Sequence, residues 1–297
     1  MCYDRIKGAM MRPKDLATKI FLDSGDPLET GESIRLLGFL DGQTTNPTLI
    51  SKNPVSRQRL ERGEKFSRGE ILDFYRQEVK KISTMIPQGS VSIEVYGDRS
   101  TTAEEMLQQG REMFSWIPNA HIKFPSTREG LKAAEKAVKE EIRVNMTLCF
   151  TQEQAAAVYA ATRGAKKGDV FVSPFIGRLD DRGERGMDLI SHVIRMYRQG
   201  DGHVEVLTAS VRNLDHFLCA LNLGSDIISA PFNVLKEWSE KGLPLPDKEY
   251  SYQPANLKAI PFREIPLTKP WQDYDLHHEL TDKGMERFSA DWNALIQ

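Results

Sequence analysis

The segment HIKFPST, residues 121–127, carries one charge in an apolar run. Lys123 stands between Ile122 and Phe124, and Pro125 closes the run. A lysine in a buried strand is costly unless something pairs or uses it. Burial disfavours the charged ammonium, and an uncharged amine is a nucleophile. With a carbonyl compound it forms a Schiff base. The protonated imine is an electron sink that permits cleavage of the adjacent carbon–carbon bond. Such a reaction also needs a carboxylate to move a proton. It needs amides and hydroxyls to hold a hydroxylated carbon chain.

The elements around Lys123 follow one rhythm. Short apolar runs at 19–23, 38–46, 91–97, 121–125, 142–150, 169–175, 204–210 and 225–231 read as strands. Each is followed by an amphipathic, helix-like stretch. In GEILDFYRQEVKKIST, Ile71, Leu72, Tyr75, Val79 and Ile82 share one helical face. Capping boxes are expected at Thr101–Glu104, Ser126–Glu129 and Thr151–Gln154. Buried strands alternating with helices argue for a parallel sheet covered by helices. Eight such units in about 225 residues predict a closed (β/α)8 TIM barrel, an α/β fold. A doubly wound open sheet is the alternative. It lacks the GxGxxG fingerprint after its first strand. The barrel is assigned to residues 1–242. Residues 243–297, rich in proline up to Trp271 and ending in a helix-like stretch, read as an extension packed on the barrel or on a neighbouring subunit.

In a barrel the chemistry sits at the C-terminal ends of the strands. Those ends carry Asp23, Thr44, Thr45 and Asn46, then Glu94, Lys123, Asn145 and Thr147. Ser173, Arg178, Ser210 and Arg212 complete the series. Singly each has a bland reading: a turn residue, a cap, a structural Glu94–Lys123 pair, a solvated arginine. Together they converge on one mouth. Buried polar groups must all find partners, so filling a barrel with them for stability alone is wasteful. Arg178, Ser210 and Arg212 suit a phosphate at the far end of a substrate.

At this point the residues resemble a family. FLDSGD, DGQTTNPTLI, SIEVYGD, HIKFPST, VNMTLCF, SPFIGRLDD and TASVRN resemble, in that order, the transaldolases, from residue 18 to about 240. The resemblance implies a class I aldolase-type barrel that moves a dihydroxyacetone unit from a ketose phosphate to an aldose phosphate in the pentose phosphate pathway. It implies Lys123 as the Schiff-base lysine and Asp23 as the proton acceptor at the cleaved bond. Glu94 and Thr147 match the pair that activates water. Asn46 and Asn145 match the amides that hold dihydroxyacetone. Ser173 and Phe175 match substrate-binding positions, and Arg178, Ser210 and Arg212 the phosphate clamp. Fructose-6-phosphate aldolases of the same family typically carry Gln at the place of Glu94 and Tyr at that of Phe175, so this pair leans to a transferase. Three functions stay open: a transferase, an aldolase releasing free dihydroxyacetone, and a non-catalytic sugar-phosphate-binding barrel. Phe124 departs from the small aliphatic residue more usual after the lysine. It either packs the barrel wall or shapes the pocket.

The remaining features set bounds. Formal net charge is −2, and neither sign dominates a region, so nothing asks for nucleic acid or an acidic membrane. The expected partners are sugar phosphates and, through the final helix, a second copy of the chain. No apolar run approaches the ~20 residues of a membrane helix. Cys2, Cys149 and Cys219 are sparse and unpaired in sequence, which suits a reducing compartment, and a cytoplasmic location is expected. DYDLHHEL, 273–280, offers metal-ligand types, but adjacent histidines cannot face one point on a regular element. It reads as solvated or subunit-facing, and the chemistry outlined needs neither metal nor cofactor.

Overall fold

The computed structural model describes residues 10–254 and 256–297. Cys2 lies outside them. Eight strands close into a parallel barrel in chain order. They are β1 (Lys19–Asp23), β2 (Gly42–Thr44), β3 (Ser90–Glu94), β4 (Ala120–Pro125), β5 (Val144–Cys149), β6 (Val170–Pro174), β7 (Val204–Thr208) and β8 (Ile227–Ala230). β8 pairs back onto β1, so no open sheet edge remains and the doubly wound alternative is excluded. The helices are α1 (Pro27–Leu37), α2 (Pro47–Lys52), α3 (Pro54–Glu61), α4 (Arg68–Met85), α5 (Ala103–Phe114) and α6 (Arg128–Lys139). They continue as α7 (Gln152–Ala161), α8 (Ile176–Asp180), α9 (Gly186–Tyr197), α10 (Leu214–Leu223), α11 (Phe232–Glu240) and α12 (Glu279–Ala294).

Strand alternation sorts side chains between the lumen and the helix layer. On β4, His121, Lys123 and Pro125 face inward, while Ile122 and Phe124 face outward. A Cβ built on Gly110 of α5 would lie 2.9 Å from Phe124 Cζ and 3.3 Å from Ile122 Cγ2. Phe124 therefore packs the barrel wall beneath α5, and Gly110 leaves room for its ring. Low in the lumen, His121 stacks on Phe171 at 4.1 Å, and Phe21 meets Phe171 edge-on at 6.0 Å. These rings plug the lumen below Lys123.

Two expected caps shift by one residue. Helix α5 is capped by Thr102 with Glu105 in a full box. Thr101 instead exchanges hydrogen bonds with Asp98 in the preceding turn. Helix α6 is capped by Thr127. Ser126 donates to Thr147 O at 2.9 Å, and Glu129 accepts from Ala103 N at 2.8 Å. Thr151 caps α7 as expected, but Gln154 reaches back to Phe150 N. The second strand is shorter than the run 38–46. Gly38 closes α1 with φ 76°, and Asn46 already caps α2.

After α11 the chain runs irregularly across the outer helices. Arg263 and Gln152 of α7 exchange two hydrogen bonds, and Trp271 donates to Glu135 of α6. Helix α12 then crosses the C-terminal mouth, and Phe66 N donates to Leu295 O at 2.8 Å. No helix among the described residues is long and apolar enough to cross a membrane.

Candidate active site

A cavity of about 350 Å3 opens at the C-terminal ends of the strands. Asp23, Asn46, Lys123, Thr147 and Ser173 line its floor and one wall. Phe175, Arg178, Ser210 and Arg212 line the other. The remaining two predicted residues are buried beside it. Glu94 lies opposite Lys123 in the β3–β4 register, and Asn145 lies opposite it in the β4–β5 register.

Lys123 is 3% exposed. Its Nζ donates to Thr45 O at 2.9 Å and lies 2.6 Å from Glu94 Oε2. The second contact is a buried ion pair, and Oε2 has no other hydrogen-bond partner. Thr147 Oγ1 is likewise buried and unpartnered. Burial pushes the Glu94 carboxyl above the ordinary carboxylate range, against the pull of Lys123. Asp23 shares that fate for the same reason, although Thr44 Oγ1 donates to it at 2.7 Å. With that proton committed, Thr44 takes the Ser229 hydroxyl as its own donor. Both carboxylates therefore hold protons more readily than free ones, as acid–base work near neutrality requires.

The amides behave differently from each other. Asn46 uses its oxygen to cap α2, accepting from Leu49 N at 2.9 Å, and still faces the cavity. Asn145 is fully buried. Its nitrogen donates to Ser92 Oγ at 3.0 Å, and its oxygen accepts from Ser173 Oγ at 2.6 Å. Ser173 thus stands between Asn145 and the cavity.

The basic end is built around Arg178. Its guanidinium lies 5.2 Å from the Phe175 ring centre and 5.2 Å from that of Phe288. Burial brings its pKa down to about 10. Among the described residues it has no carboxylate within ion-pair distance. Arg212 is half-exposed and bonds Asp181 at 3.0 Å. Ser210 sits at φ 60°, an uncommon conformation for a non-glycine residue. Its carbonyl accepts from Gly177 N at 3.1 Å. A side chain on Gly177 would collide with the Ser210 carbonyl and with Arg212, which explains the glycine in SPFIGR.

Sequence reasoning missed several residues of this wall. Lys52, Arg287 and Phe288 line the cavity, and Gly177 and Gly284 make room for its arginines. Gly177 had a signal, since a glycine beside a phosphate-type arginine suggests close approach. Arg287 and Phe288 belong to α12, which a sequence-distant segment delivers.

DYDLHHEL holds no metal cluster; none of three or more ligating side chains occurs among the described residues. His278 caps α12, accepting from Leu280 N at 3.2 Å, and stacks on Phe150, which meets Phe175. It is half-buried against the mouth, not solvated. Cys149 and Cys219 are buried, and desolvation pushes each thiol up to about 12. They are inert packing groups.

A larger cavity, about 600 Å3, lies at the opposite end of the barrel. There Lys19 pairs with Glu205, and Arg143 donates to the carbonyls of Ala120 and Pro118. His121 engages Ser90 and Gly168 O with its two nitrogens, and burial brings its pKa down to about 3. These polar groups serve the fold. Barrel chemistry belongs to the other face.

The family model described as transaldolase/fructose-6-phosphate aldolase matches residues 20–297. A probable transaldolase of Dehalococcoides mccartyi is 33% identical over 93% of this chain and 99% of its own. One from a Roseiflexus species is 34% identical over 94% and 99%, and one from Brucella ovis 36% over 92% and 96%. The chain is therefore a member of the transaldolase/fructose-6-phosphate aldolase family.

Proposed function

We propose that the protein is a transaldolase that carries a dihydroxyacetone unit on Lys123 between sugar phosphates such as fructose 6-phosphate and an aldose phosphate. The observation that carries this reading is a buried lysine 2.6 Å from a carboxylate, in one cavity with a second carboxylate, an amide and arginines. The relatives named probable transaldolase support it.

In this reading the Lys123 ammonium passes a proton to Glu94, and the resulting amine attacks the keto carbon. The carbinolamine then loses its hydroxyl as water. Glu94 Oε2, beside Lys123, and Thr147 Oγ1, buried without a hydrogen-bond partner, suit that water's position. Asp23 removes the proton from the hydroxyl across the scissile bond, and the bond's electron pair moves into the imine. The aldose phosphate leaves, and the enamine stays on Lys123. Asn46, and Asn145 with Ser173, hold its hydroxyls. An acceptor aldehyde then reverses the sequence.

The test is reduction with borohydride in the presence of fructose 6-phosphate, followed by intact mass. A stable adduct on wild type, absent from Lys123→Ala, is expected. No adduct on the wild-type protein would instead indicate a binding barrel. Adding donor without acceptor separates the aldolase reading: a transferase stops after one turnover, whereas an aldolase continues to release dihydroxyacetone.

A further inference from the structure

We infer that Arg287, delivered by α12 of the same chain, is a third cation for the substrate's phosphate. The inference rests on the reading above, in which the substrate carries that phosphate beside Arg178, Ser210 and Arg212.

Helix α12 is seated on the mouth at several points. Thr281 Oγ1 donates to Leu148 O at 3.0 Å and accepts from Gln154 Nε2 at 2.9 Å. Asp291 takes the Thr48 hydroxyl. Between these anchors the helix closes over Arg178. A Cβ on Gly284 would lie 2.5 Å from Leu148 Cδ2 and 2.7 Å from Arg178 Nη1, so glycine lets the helix pack close without displacing either side chain. One turn on, Phe288 brings its ring within 5.2 Å of the guanidinium, as Phe175 does. Arg287 then faces the same cavity as Arg178 and Arg212.

Basic side chains outnumber the one acidic side chain, Asp23, in the cavity lining. Arg178, Arg212, Arg287 and Lys52 all line the cavity. At this end, Arg212 is paired with Asp181. Arg287 Nε makes only a long, solvent-exposed ion pair with Asp291 Oδ2 at 3.8 Å, beyond hydrogen-bond reach, and that oxygen already accepts from Thr48. Its five N–H donors therefore remain available. After burial, Arg287 is the strongest influence lowering the Arg178 pKa, so the two cations repel across the cavity. Like charges gathered along a concave wall create an anion site. A phosphate bridging them would relieve the repulsion and take charge-assisted bonds from both.

The experiment uses Arg287→Gln and Arg287→Lys in the full chain. The side chain is largely exposed, so both variants should fold, and thermal melting checks this. Inorganic phosphate is titrated calorimetrically into wild type and both variants. Arg287→Gln should weaken phosphate roughly tenfold, the cost of one charge-assisted bond, and Arg287→Lys should recover part of it. In turnover, kcat/KM should fall by a larger factor for fructose 6-phosphate than for fructose. Unaltered phosphate affinity in Arg287→Gln overturns the inference, as does an equal loss on both sugars. If wild type forms no borohydride adduct, the transaldolase reading falls, while the phosphate titration still decides the role of Arg287.

Discussion

Glu94 Oε2 lies 2.6 Å from Lys123 Nζ, on the neighbouring strand and at the same register. Both side chains are more than nine-tenths buried. A buried ion pair is weak evidence of stabilisation, because desolvating two charges offsets their attraction. The pair makes better sense as chemistry. A carboxylate with raised basicity, set against an ammonium, can take the proton it must lose before the amine attacks.

Changing Glu94→Gln keeps the shape and removes the base. We expect kcat to fall about a hundredfold, the usual contribution of a positioned acid–base group. Lys123 should still be trapped by borohydride in this variant, only more slowly. Rates within twofold of wild type would assign Glu94 a structural role.

Lys123→Met fills similar volume without an amine. It should abolish turnover and borohydride trapping together, with the circular dichroism spectrum preserved. It also leaves Glu94 buried without its cation, which raises the cost of ionising that carboxyl. Measurable turnover by this variant would exclude a Schiff-base route through Lys123.

Asp23 gives a prediction with a sign in pH. Burial raises its pKa, so it holds its proton above the usual carboxylate range. The acid limb of kcat/KM should therefore lie above pH ~4, the ordinary aspartate value. The stability consequence runs the other way. A carboxyl whose folded pKa is raised contributes stability below its unfolded pKa, and that contribution is lost as pH rises through the folded value. Asp23→Asn should thus melt higher than wild type at pH 8, and the gap should shrink toward pH 4. A gap that widens on acidification would contradict a raised pKa.

The polar ends of the strands were legible because two rules convert sequence into space. Alternation says which residues face the lumen, and barrel closure says which end is the mouth. Asp23, Glu94, Lys123, Asn145, Thr147 and Ser173 all followed from them. The caps at α5 and α6 were ambiguous because two hydroxyl residues stand side by side at each, Thr101–Thr102 and Ser126–Thr127. Only the partners of Asp98 and Thr147 decide between them. Arg287 and Phe288 were illegible as site residues. Their place depends on the route of the proline-rich segment across α7 and α6, which no local pattern encodes.

Phe124 offers a test of orientation that is independent of catalysis. Its ring is fully buried between β4 and Gly110 of α5, one residue from the lysine but on the opposite face of the strand. Phe124→Ala should leave a cavity outside the lumen and cost about 3–5 kcal/mol in denaturant unfolding. KM for fructose 6-phosphate should stay near its wild-type value in the fraction that remains folded, because no atom of Phe124 lines the substrate cavity. A complementary change, Gly110→Ala, drives a methyl toward the same ring and should also destabilise, by overpacking. If Phe124→Ala instead altered KM with little loss of stability, the ring would have to face the pocket, and the strand register that places Lys123 opposite Glu94 would be wrong with it.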